Sequence, residues 1–160
     1  GNQVRWFLNE TKGDDWKNAD YRIIIGSTPP TTSLWGEDGR YADGKDRFLD
    51  QSVSTMIKNS GATLALFGSG HSYQRGVYPS DYPAFEDLPV QYVICSGFNS
   101  PHINKVGDWT VSSEPSFIIS SSENHYVRLT TTASSLTLVA REWSSDALID
   151  QISLSPRDLD

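Results

Sequence analysis

A short apolar run that breaks into a glycine-punctuated turn constrains this chain more than any other stretch: Ala62-Thr63-Leu64-Ala65-Leu66-Phe67-Gly68-Ser69-Gly70-His71. A run of this length bounded by turn residues reads as a buried strand. Gly-x-Gly permits backbone conformations closed to other residues. The turn carries an imidazole, His71, with Tyr73 and Arg75 just behind it. A second run, Tyr21-Arg22-Ile23-Ile24-Ile25-Gly26, is rich in β-branched residues and predicts a central strand buried on both faces. It stops at Ser27-Thr28-Pro29-Pro30, because proline cannot continue a central ladder. Between the runs, Phe48, Leu49, Val53, Met56 and Ile57 share one helical face, and Gly61 stands where a C-terminal cap belongs. Strand, helix and strand in this order predict a βαβ unit with parallel strands and a right-handed crossover. Ligands in such sheets sit beyond the carboxyl ends of the strands, where Ser27 and His71 both fall.

The flanking sequence divides into two styles. Residues 2–10 carry Val4, Trp6, Phe7 and Leu8 among polar residues and predict a short amphipathic helix, with Trp6 in the core. Residues 31–44 form a polar loop containing Trp35. Downstream, residues 91–96 predict a strand ending at Gly97, followed by a loop over 98–114 with His102 and Trp109. Further strands are expected at 116–120, 125–131, 136–142 and 148–154; the last three alternate and are separated by Ala133-Ser134-Ser135 and Ser144-Ser145-Asp146, the pattern of an antiparallel meander. No linker separates the styles, so a single domain over 1–160 is expected, with a helix/strand part over 1–75 and a mainly β part over 76–160.

A net charge of −7 disfavours nucleic acid and anionic membrane surfaces as partners. No apolar run approaches the ~20 residues of a membrane span, and no signal peptide is visible. Cys95 is the only cysteine, which excludes an internal disulfide, and its apolar neighbours make it a small buried hydrophobe. Asn9-Glu10-Thr11 is a glycosylation sequon, relevant if the protein is secreted. Asp14-Asp15 and Glu37-Asp38 are paired carboxylates of a kind that can hold calcium or lie solvated in loops. Arg75 has the fork to grip a phosphate, or to close a strand-end salt bridge. His102 is a candidate cleft residue, and His125, opening a strand, reads as structural.

Gln3-Val4-Arg5-Trp6, Ile25-Gly26-Ser27-Thr28-Pro29, Phe67-Gly68-Ser69-Gly70-His71-Ser72-Tyr73-Gln74-Arg75 and Tyr92-Val93-Ile94-Cys95-Ser96-Gly97 follow one another in an order that resembles a known family. With the closing β-rich tail, they resemble the C-terminal half of a calcineurin-like metallophosphoesterase, in particular the purple (tartrate-resistant type) acid phosphatases. The resemblance implies an α/β fold, the C-terminal portion of an α-β-β-α sandwich. It also implies a dinuclear Fe/Zn or Fe/Mn centre and metal-dependent hydrolysis of phosphate monoesters. Carried over by position, the histidine of the family's Gly-His-x-Pro is Ser27, and the first histidine of its Gly-His-x-His is Ser69; the second is retained as His71. The two lost histidines serve the family's divalent-metal site and the retained one its iron site. A serine hydroxyl is a poor substitute for imidazole on a first-row transition metal.

The family's remaining ligand motifs have no counterpart here, so an upstream segment or another chain is expected to supply the missing N-terminal half. The resemblance with its departures points to a catalytically degenerate module used for binding or structure, extracellular, cell-surface or periplasmic. The alternatives are an active phosphomonoesterase completed by that N-terminal half, and a homo-oligomeric structural subunit of an extracellular filament or surface layer.

Overall fold

The computed structural model describes residues 1–31, 50–97 and 115–157. Two helices, α1 (Asn2–Glu10) and the single turn α2 (Asp14–Lys17), precede strand β1 (Ile23–Gly26). A π-helical turn (Asp50–Ser54) runs into α3 (Thr55–Lys58), which leads to β2 (Leu64–Phe67). Then come β3 (Tyr73–Tyr78), a 3-10 turn (Pro83–Phe85), β4 (Val90–Cys95), β5 (Ser116–Ser121), β6 (His125–Thr131), β7 (Leu136–Glu142) and β8 (Leu148–Leu154). Phe48, Leu49, Trp35, Glu37, Asp38, His102 and Trp109, all singled out in the sequence, lie outside the described residues.

These strands form a five-stranded sheet in the order β1-β2-β4-β3-β5 and a three-stranded sheet in the order β6-β7-β8. β1, β2 and β4 run parallel, as the βαβ reading requires. β3 lies antiparallel between β4 and β5, and the second sheet is the expected antiparallel meander. The fold is therefore mixed α/β, a mixed sheet stacked on an antiparallel one.

Alternation along β2 explains how one short run serves two cores, since successive side chains point to opposite faces. Leu64 and Leu66, with Tyr73 and Val93, meet Leu136, Leu138 and Ala140 of β7 between the sheets. Ala65 and Phe67 point the other way, joining Tyr92, Ile94 and Ile57 of α3. Below the sheet, the guanidinium of buried Arg22 donates to the carbonyls of Trp16 (2.6 Å), Lys17 and Arg157 (3.1 Å). Arg157, after β8, donates to the carbonyls of Ala62 (2.7 Å) and Pro89 (2.6 Å). Both guanidiniums also lie over the Phe85 ring. The tail is thus tied to the amino ends of β1, β2 and β4.

Two local expectations need correction. Among the described residues β1 stands at the edge of its sheet rather than centrally, paired with β2 alone, and Ile25 is 79% exposed. Trp6 is not in the core: α1 buries none of its residues, and Trp6 is 61% exposed. No strand is expected over β3 from the sequence, where Gln74 and Arg75 break any apolar pattern behind the turn. In the fold Gln74 is fully buried, its amide satisfied by donating to Ser72 Oγ at 2.8 Å.

Candidate functional site

The parallel register sets Gly26 beside Phe67 and Phe67 beside Ile94, so the carboxyl ends of β1, β2 and β4 form one rim. The Gly68 N–H donates to the Gly26 carbonyl at 3.1 Å, bringing the Ser27 loop against the Gly68-Ser69-Gly70-His71 turn. Ser27, Ser69 and His71 all reach this rim and are exposed. Their backbone is unusual. Ser69 (φ 56°) and His71 (φ 53°) both occupy the left-handed region, which costs a non-glycine residue about 1–2 kcal/mol each. Gly70 lies between them because the turn folds tightly over β4: a Cβ there would meet Ile94 Cγ2 at 2.2 Å. Strained residues persist only where their surroundings over-determine them, and they cluster at ligand sites.

Two buried polar assemblies supply that support. Directly behind the turn, the Tyr73 hydroxyl donates to Asp150 Oδ2 at 2.6 Å, and Arg75 donates to the same carboxylate through Nε (2.6 Å) and Nη2 (3.1 Å). Asp150 comes from β8, so the bidentate pair joins the two sheets. Burial acts to raise the Asp150 pKa, but the bonds from Arg75 and Tyr73 outweigh it and hold the carboxyl below its ordinary value. Burial first, then the bond to Asp150, push the Tyr73 phenol far up.

The second assembly centres on His125 at the start of β6. Its Nδ1 lies 2.8 Å from the Glu123 carbonyl, and its Nε2 accepts from the Gly97 N–H at 3.4 Å. Because Gly97 is the donor, the ring proton sits on Nδ1. The His125 N–H returns to the Gly97 carbonyl at 2.8 Å, and the ring meets Tyr73 edge-on at 5.7 Å. Burial lowers the pKa of His125, partly offset by the bond to Glu123, which favours a neutral imidazole. Next to Gly97, on the β4 end of the rim, the Ser96 hydroxyl is buried without a hydrogen-bond partner among the described residues.

The rim therefore offers hydroxyls from Ser27, Ser69 and Ser96 and one imidazole, His71. Transition metals of the iron and zinc type favour imidazole, thiolate and carboxylate donors over neutral hydroxyls. Among the described residues no group of three or more His, Cys, Asp or Glu could hold a metal ion. This donor set does not fit a dinuclear Fe/Zn or Fe/Mn centre, and no chemical step can be routed through one from these residues. Arg75, a candidate phosphate grip, has its guanidinium engaged by Asp150 with only 12% of its side chain exposed. Asn9 lies exposed in the last turn of α1. Cys95 is half-buried, with its thiol pushed up by burial. Sequence reasoning did not single out Asp150, whose only signal is a charge on the inward phase of an alternating strand, nor Ser96, which entered only within the Tyr92-to-Gly97 stretch that carries the resemblance.

No protein-family model and no curated protein matches the sequence. Solved structures do match, along nearly the whole chain. A purple acid phosphatase, PPD1, from yellow lupin (Lupinus luteus) seeds superposes with a TM-score of 0.71 at 16% identity, over 99% of this chain and 28% of its own. GAP50, the anchor in the inner membrane complex of Plasmodium, gives 0.68 at 12% identity, over 98% of this chain and 42% of its own. PhoD gives 0.56 at 14% identity, over 99% of this chain and 33% of its own. All three are metallophosphoesterase-type folds, and this chain has that fold. It spans well under half the length of each of these neighbours.

Proposed function

We propose that residues 1–160 form a purple-acid-phosphatase-like domain portion that has lost its metal chemistry and serves as a binding or structural module. One observation carries this reading: serine stands at both rim positions, Ser27 and Ser69, where the resembled family places the histidines of its divalent-metal site. The rim keeps its shape through Gly70, the Tyr73–Asp150–Arg75 bonds and His125, none of which needs a metal. The acidic charge agrees with a partner other than nucleic acid. An extracellular, cell-surface or periplasmic setting accords with the exposed sequon at Asn9. Metal analysis of the full-length protein, with a phosphomonoester turnover assay, tests the proposal. Two bound transition metals with robust turnover would sink it; substoichiometric metal and no turnover is the expected result.

A second reading draws on the short span relative to the solved neighbours: ligands from chain outside these residues complete a site around His71, and the protein is an active phosphomonoesterase. It requires His71→Ala to abolish metal binding, and unchanged metal content and activity in that variant refute it. The likeness to GAP50, an anchor, favours the structural branch of the first reading, which includes a homo-oligomeric filament or surface-layer subunit.

A further inference from the structure

His125 joins the two sheets at the rim end of β4. Its backbone and its ring both hold Gly97, two residues beyond that strand. The His125 N–H donates to the Gly97 carbonyl at 2.8 Å, and the Gly97 N–H donates to the ring Nε2 at 3.4 Å. Nδ1 faces the Glu123 carbonyl at 2.8 Å. A carbonyl can only accept, so the single proton of the neutral ring belongs on Nδ1, and Nε2 keeps the lone pair that the Gly97 N–H needs. Gly97 takes a left-handed φ of 79°, a conformation that suits glycine. The same turn carries Ser96, whose hydroxyl is buried without a partner among the described residues. The edge contact of the ring with Tyr73, at 5.7 Å, reaches the strand that follows the Ser69–His71 turn.

The surroundings suit the neutral ring alone. On β3, the Tyr73 phenol is bonded to Asp150 and keeps its proton. On β4, the Cys95 thiol is pushed up by burial. On β8, the Asp150 carboxylate is engaged by Arg75 and Tyr73. On β7, the cross-strand neighbour Glu142 accepts from the Ser144 and Ser145 hydroxyls with its two carboxylate oxygens. The titration of His125 is governed by burial and by the Glu123 carbonyl, with no carboxylate among the described residues to support an imidazolium. We propose that His125 is an acid-released latch: a solvent proton taken up at Nε2 turns the acceptor of the Gly97 N–H into a donor, and the Ser96–Gly97 end of the rim comes away from β6. Burial holds the pKa of the closed ring below its ordinary value, and opening returns it to about 6.5, so a falling pH drives the latch open. The rim is thus complete near neutrality and loosened at its β4 end in acid. The latch rests on ring and backbone geometry, so the metal analysis above can fail without touching it.

Hydrogen exchange of the full-length protein, read amide by amide between pH 7 and 5 and corrected for the intrinsic rate, tests the latch. Protection at the Gly97 amide is expected to fall by about tenfold per pH unit below about 6.5, the slope of one proton taken up per opening. The opening is local and exposes little surface, so low urea should leave protection at Gly97 level while that of Leu138 and Ala140 in β7 falls. His125→Gln keeps an oxygen acceptor for the Gly97 N–H without a titrating ring; it should retain the protection at pH 7 and lose the slope. His71→Ala and His102→Ala should each leave the slope in place. The nitrogen-15 spectrum of the His125 ring gives a check on the unmutated protein, with Nδ1 protonated and Nε2 bare at pH 7. Protection at Gly97 that is flat with pH overturns the proposal, as does a slope that survives His125→Gln or a proton on Nε2 at pH 7. Gly97 exchange that follows β7 in urea overturns it too, because the opening would then be unfolding of the whole domain.

Discussion

Asp150→Ala isolates the bond that ties the two sheets behind the rim. In the native fold Asp150 receives Tyr73 at 2.6 Å and Arg75 at 2.6 and 3.1 Å, with side-chain exposures of 12% for Arg75 and 7% for Asp150. The substitution leaves a guanidinium charge and a buried phenol unpaired. Breaking a buried ion pair from one side costs about 3–5 kcal/mol, and an orphaned hydroxyl costs about 1–3 kcal/mol. The two losses share one carboxylate and do not add fully, so the expected destabilisation is about 4 kcal/mol. In urea, with a slope of about 2 kcal/mol/M, the midpoint should fall by about 2 M with the slope unchanged. Replacing all three groups, as in Arg75→Met with Asp150→Leu and Tyr73→Phe, should recover most of the loss, because well-packed apolar groups can substitute for a buried pair and no phenol is left orphaned. Asp150 also contributes acid sensitivity. Its folded pKa lies below the ordinary 3.8, so its stabilisation is complete above that value and is lost as pH falls through the lower folded value. A loss under about 1 kcal/mol, the worth of an exposed pair, would refute the reasoning.

His125 is buried neutral, with its folded pKa below 6.5, so unfolding takes up a proton and stability should decline as pH falls below about 6.5; His125→Gln should flatten that limb in denaturation curves measured from pH 7 to 5. Gly70→Ala places a methyl 2.2 Å from Ile94 Cγ2, in a core where Ile94 is fully buried. It should cost about 1–3 kcal/mol, read as a lowered thermal midpoint with faster hydrogen exchange over residues 68–73.

The strands of the fold were legible where periodicity was unambiguous. β6, β7 and β8 alternate cleanly, and β2 and β4 are apolar runs closed by glycine turns. β3 was not, because Gln74 and Arg75 are polar side chains satisfied inside the protein, by Ser72 and by Asp150, and one-dimensional pattern cannot see a partner 75 residues away. The same blindness misplaced β1 and Trp6. Their apolar character was read as burial, whereas the described residues leave them exposed. At the rim, the turn sequence located Ser69, Gly70 and His71, but their left-handed backbone and the tight contact with Ile94 depend on how β4 lies beneath them. Ser96 and Asp150 owe their environments wholly to packing between strands distant in sequence.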